Sequence, residues 1–97
     1  MTFDELAEQL APEPDVELGK GFHRAALKRE GKIFALDYGD ALVVKLPAAR
    51  CAELVETTSA VAFDRGQGKP LREWVVLGDD ADWLALAGEA LSFARSR

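Results

Sequence analysis

The chain has 97 residues, 12 Lys and Arg against 17 Asp and Glu, a formal charge of −5, and a hydrophobic share of 48%. That length holds one domain, 1–97, without room for a second core. The composition excludes a disordered or collagen-like chain, and net acidity excludes a uniformly basic surface for nucleic acid or anionic membrane.

The first predicted element is a short helix. Thr2 and Glu5 form a T-x-x-E capping box, and Phe3, Leu6, Ala7 and Leu10 recur on one helical face. Pro12 and Pro14 end it, since proline lacks the amide donor and restricts its predecessor.

From Val16 to Leu46 the pattern turns to strands punctuated by glycine. Glu30-Gly31 suits a two-residue hairpin turn. Pairing across it sets Leu27 opposite Phe34, Ala25 opposite Leu36, Lys28 opposite Ile33, Ala26 opposite Ala35, and Arg24 opposite Asp37 as a cross-strand ion pair. At the next turn a two-residue loop, Gly39-Asp40, would set Phe34 against Lys45 and bring charge to the core face. A three-residue loop, Gly39-Asp40-Ala41, instead pairs Leu36 with Val44 and Phe34 with Leu46. The expectation is therefore a three-stranded antiparallel meander.

Pro47 opens a second helix with Cys51, Leu54 and Val55 on one side, and Thr57-Thr58-Ser59 ends it. Strands are expected over Ala60–Phe63 and Leu71–Leu77, the second apolar on both faces, as an interior strand or a subunit contact would be. The last helix takes Asp79 or Asp80 as its cap and carries Trp83, Leu84, Ala87, Ala90, Leu91 and Ala94 on a broad apolar stripe. The predicted class is α+β: a two-layer fold with an antiparallel sheet packed by helices, in the order α-β(3)-α-β(2)-α.

No apolar run approaches the roughly 20 residues that span a bilayer, so no membrane partner is expected. The start, Met1-Thr2-Phe3-Asp4-Glu5, has neither the basic nor the apolar region of a secretory signal. The one cysteine, Cys51, has no internal disulfide partner and reads as a buried small hydrophobe in a cytoplasmic protein.

Little in the sequence carries chemistry. His23, the single histidine, has no second His or Cys at ligand spacing, so no metal site is expected. Asp64-Arg65-Gly66-Gln67-Gly68-Lys69-Pro70 has the composition of a turn; Pro70 follows the lysine where a phosphate loop needs Ser or Thr and a helix. No G-x-S-x-G elbow is present, and Asp79, Asp80 and Asp82 suit helix capping better than catalysis. No catalytic residue and no cofactor is assigned.

The distribution of charge says more. Residues 1–19 hold six acids and no bases, residues 20–50 hold seven bases and three acids, and residues 51–97 hold five bases and eight acids. In the register above, Arg24, Lys28 and Lys45 project from one sheet face among Ala26, Ala35, Ile33 and Val43, without interleaved aromatics for base stacking. Such a face could meet nucleic acid, a protein partner or a second copy of the chain.

Three stretches together resemble the TfoX N-terminal/YjbR (MmcQ-like) superfamily of small bacterial domains. They are Gly31-Lys32-Ile33-Phe34-Ala35-Leu36 with Leu42-Val43-Val44-Lys45-Leu46-Pro47; Phe63 to Leu71 with Glu73-Trp74-Val75; and the closing helix from Trp83 to Phe93. The resemblance spans most of the chain and implies a two-layer α+β fold. TfoX is associated with competence regulation and YjbR-like members carry a DNA-binding label, while the family pattern includes no catalytic residue. The expected function is a non-enzymatic binding or regulatory module that contacts protein or nucleic acid through Arg24, Lys28 and Lys45. The alternatives are a self-associating structural module and a small-ligand binder using His23 with Lys69 of the Gly66–Lys69 loop.

Overall fold

Turn chemistry and alternation build the first half of the sheet. The structure, a computed structural model, describes residues 1–21, 23–64, 68 and 70–96. Its elements are α1 (Phe3–Leu10), β1 (Glu17–Gly21), β2 (Arg24–Arg29), β3 (Lys32–Tyr38), β4 (Ala41–Lys45), α2 (Ala48–Thr57), β5 (Val61–Phe63), β6 (Leu71–Leu77) and α3 (Trp83–Arg95). The six strands form one antiparallel sheet in the order β1-β2-β3-β4-β6-β5. The expected α+β class holds, with one strand more than the expected three in the meander.

The added strand is β1. Its Gly19 and Gly21 face Ala26 and Arg24 of β2. A Cβ at Gly21 would lie 2.2 Å from Ile33 Cδ1 of β3, so a larger residue there requires the end of the Ile33 side chain to move. Glu30 and Gly31 both take positive φ, 51° and 78°, as a type I′ hairpin requires.

Register departs from expectation at Phe34. Lys28 pairs with Ile33 as expected, but Leu27 then pairs with Ala35 and Ala26 with Leu36, leaving Phe34 as an extra residue in β3. This β-bulge turns Phe34 and its neighbour Ala35 toward the same core. It also permits the two-residue Gly39-Asp40 loop that the sequence argued against, with Tyr38 opposite Ala41 and Ala35 opposite Val44. The conflict between Phe34 and Lys45 vanishes because the bulge takes Phe34 out of the alternation.

The helices share one side of the sheet. Phe3, Leu6 and Leu10 of α1, Cys51 and Leu54 of α2, and Trp83, Leu86, Ala87, Ala90 and Leu91 of α3 pack with Leu27, Phe34, Leu42, Val44, Val75 and Leu77. The Thr2–Glu5 capping box forms, with Glu5 N–H donating to Thr2 Oγ1 at 3.2 Å and Thr2 N–H to Glu5 Oε1 at 2.8 Å. Pro47 stands at the N-cap of α2, one place before the position expected for it. Val55, expected on the buried side of α2, is 40% exposed, as is Leu84 of α3 at 38%. Asp82, not Asp79 or Asp80, caps α3 by accepting from Ala85 N–H at 3.1 Å. Asp80 instead accepts from Ser59 Oγ at 2.9 Å, in the turn before the helix. As its doubly apolar pattern suggested, β6 is interior, between β4 and β5.

Candidate functional site

The side of the sheet without helices carries a second, smaller core of Ala26, Leu36, Val43 and Phe63, backed by Ile33, Leu71, Trp74 and Val76. Alternation puts Arg24 and Lys28 beside Ala26 on this side, and Lys45 beside Val43. All three expected cations therefore lie on one open face. Ala35, expected among them, points to the helices because of the bulge.

The same one-residue shift replaces the expected Arg24–Asp37 pair. Arg24 Cζ lies 4.7 Å from the ring centroid of Tyr38, and Asp37 pairs with Leu42 on the helix side. Lys45 Nζ lies 5.6 Å from the ring of Trp74, its cross-strand partner. Tyr38 meets Phe63 edge-on at 5.6 Å and 88°, and Phe63 meets Trp74 at 6.4 Å and 56°. A continuous arc thus runs Arg24–Tyr38–Phe63–Trp74–Lys45. Contrary to the sequence reading, the basic face does interleave aromatic rings.

The arc also spans the face. Tyr38 on β3 and Phe63 on β5 have β4 and β6 between them, roughly 14 Å across a flat sheet. Their rings lean toward each other to close that gap to 5.6 Å and so lie over the strands between. Ala26, Leu36 and Val43 are at least 99% buried here without a covering helix, packed with the larger side chains of Ile33, Phe63 and Trp74.

Electrostatics separates these cations from Arg29, Arg50 and Arg95. Arg29 Nε donates to Asp15 at 2.8 Å, Arg95 binds Asp15 at 2.7 Å and Glu13 at 2.8 Å, and Arg50 binds Glu89 at 2.9 Å and also Glu53. Hydrogen bonds from Arg95 and then Arg29 hold the Asp15 carboxyl well below the usual carboxylate range. Two of the six N-terminal acids, Glu13 and Asp15, are thereby engaged by Arg29 and Arg95. Among the described residues no carboxylate pairs with Arg24, Lys28 or Lys45, although Glu17 stands opposite Lys28 in the register. Lys28 and Lys45 are half-buried, Arg24 is exposed, and Tyr38 is 39% exposed.

Where the open face meets the end of α3, a cavity of about 150 Å³ is lined by Arg29, Lys32, Ile33, Lys45, Ala90 and Phe93. It sits where β3–β4 pairing stops at Ala35 and Val44, below the bulge. Lys32, the cross-strand partner of Arg29, is placed by alternation on the helix side and reaches this notch from there, a position that its place beside a turn had not singled out.

The other candidates do not converge. His23 is exposed between β1 and β2 with φ 64°, away from the cavity that Arg29, Lys32 and Lys45 line. Lys69, with Gly66 and Gln67, lies outside the described residues. Cys51 is buried, donates weakly to Leu46 O at 3.5 Å, and has its thiol pKa pushed up by burial. Among the described residues no three His, Cys, Asp or Glu side chains group to hold a metal. No helix of those residues is long and apolar enough to cross a membrane. Comparison of the chain with family models, curated proteins and solved structures returned no match.

Proposed function

We propose that the chain is a non-enzymatic nucleic-acid-binding module of the TfoX N-terminal/YjbR kind, acting in the cytoplasm through the helix-free face of its sheet. One observation carries this reading. Arg29, Arg50 and Arg95 are each neutralised by carboxylates, while Arg24, Lys28 and Lys45 share one face and, among the described residues, pair with none. Unpaired cations beside aromatic rings favour a polyanion that also offers flat apolar surface, and a nucleic acid is such a polymer. The acidic remainder of the surface repels the same polymer and confines contact to this face.

The test is fluorescence anisotropy with labelled 20-nucleotide duplex and single-stranded DNA. Three phosphate contacts give a loss of roughly 20- to 40-fold in affinity between 50 and 200 mM salt, by counterion release. Replacing Arg24, Lys28 and Lys45 together with Gln is expected to abolish binding to both probes while far-UV circular dichroism stays unchanged. Absence of salt-dependent binding to either DNA at 50 mM salt would overturn the reading.

A further inference from the structure

We infer that the nucleic acid taken by this face is single-stranded, with one base stacked at the Tyr38–Arg24 pair and a second at the Trp74–Lys45 pair. The inference rests on the nucleic-acid reading above and narrows it to one form of the polymer.

Shape argues first. A duplex is a convex rod that displays phosphates and hides its base faces. To read or grip it, proteins project a helix, a ribbon or an arm into a groove. The open face projects nothing comparable. Its helices all lie on the opposite side, and two of its three cations, Lys28 and Lys45, are half-buried. A duplex would set only its phosphates against this face and leave the rings without a base to stack on, whereas a single strand can turn its bases onto them.

Chemistry argues second. Single strands expose the flat faces of their bases, and proteins that take them combine a basic groove with aromatic platforms. Here the two occur as coupled pairs: the Arg24 guanidinium 4.7 Å from the Tyr38 ring, and the Lys45 ammonium 5.6 Å from the Trp74 ring. Phe63 joins the two rings and is only 6% exposed, so it braces them from below. A base meeting Tyr38 stacks on the ring or on the guanidinium plane and brings its phosphate near the cation. Lys28 continues the positive charge along the same face. Other domains with an open four-stranded sheet seat two or three bases this way, which matches the two ring–cation pairs here.

An acidic protein segment would satisfy the cations but leave the rings without a flat partner. Poly-glutamate is therefore the control for charge alone.

The experiment measures anisotropy of labelled 12-mer oligothymidine and of a 12-base-pair duplex at 50 mM salt, with intrinsic tryptophan emission followed in parallel. Oligothymidine is expected to bind at least about tenfold more tightly than the duplex and to quench tryptophan emission, with the quench lost in Trp74→Phe. The second tryptophan, Trp83, is 3% exposed on the helix side and out of reach. Tyr38→Ala is expected to weaken oligothymidine about tenfold, the scale of one lost stacked base, while Tyr38→Phe retains affinity. Poly-glutamate at equal charge is expected to compete poorly.

Duplex affinity equal to or above that of oligothymidine, with no quench, would overturn the single-strand inference and leave the nucleic-acid reading standing. Equal competition by poly-glutamate would overturn it too, since charge alone would then suffice. Binding to neither DNA removes the broader reading itself. The quench needs no change in sequence, so the inference stays testable even where Tyr38→Ala disturbs the fold.

Discussion

The sheet presents two buried surfaces made by different means. On one side three helices cover Phe34, Leu42, Val44 and Leu77, and no charged side chain enters the core. On the other, Leu36 and Val43 reach the same burial with no helix laid over them, only neighbouring side chains with aromatic rings and cations among them. The first surface is closed by added elements and is permanent. The second is closed by side chains that solvent can approach, and the proposed binding residues lie among them.

Substitutions can break this comparison, beginning with the largest effect. Phe34→Ala is expected to cost about 3–5 kcal/mol in urea unfolding, because the helix layer cannot collapse into the space. Leu36→Ala, equally buried on the open side, is expected to cost less, about 2 kcal/mol, since Tyr38 and Ile33 can move in. Equal losses would show that the open face is packed as rigidly as the covered one.

The paired and unpaired cations offer a finer contrast. Arg29→Gln removes contacts to Asp15 and to the Ala94 carbonyl and is expected to cost about 0.5–1 kcal/mol without weakening DNA binding. The triple Gln change at Arg24, Lys28 and Lys45 should do the reverse. A smaller effect belongs to Asp15. Its folded-state pKa is depressed, so it stabilises the fold at neutral pH. As pH falls through about 4 the unfolded chain takes up the proton first, and that stabilisation is lost progressively below. The urea midpoint is therefore expected to drop more steeply between pH 5 and 3 in the parent than in Asp15→Asn. Parallel slopes would show that the Asp15 pairs contribute nothing. Smallest is the stability change in the triple Gln variant, expected within about 0.5 kcal/mol per site because these cations hold no carboxylate.

Much of the fold was legible in local signals. The Thr2–Glu5 box, the Glu30-Gly31 turn, the interior character of Leu71–Leu77 and the closing helix each depend on neighbours a few residues apart. Three features were not legible. Glu17–Gly21 has no apolar alternation; its glycines sit against side chains of β2 and β3, which only the third dimension shows. The bulge hides inside Ile33-Phe34-Ala35-Leu36, where every residue is apolar and either phase looks acceptable. The pairing of Asp15 with Arg29 and Arg95 joins residues 14 and 80 positions apart, beyond any local pattern. Of the site, Arg24, Lys28 and Lys45 were found by alternation alone. Tyr38 was missed because its place opposite Arg24 exists only after the bulge, and Lys32 because it borders a turn.

The strand order divides the conformational entropy of folding unevenly. From β1 to β4 each strand pairs with its successor across a tight connection, so closure there is cheap. The β4–β6 pair must instead join Lys45 to Trp74 across 28 intervening residues, with β5 placed outside. Relative to a two-residue turn, that span adds on the order of 2 kcal/mol of loop-closure cost. Helix α2 lies inside the span, and forming it early shortens the distance the free chain must search. The second helix is thus a splint for the sheet as well as part of its cover.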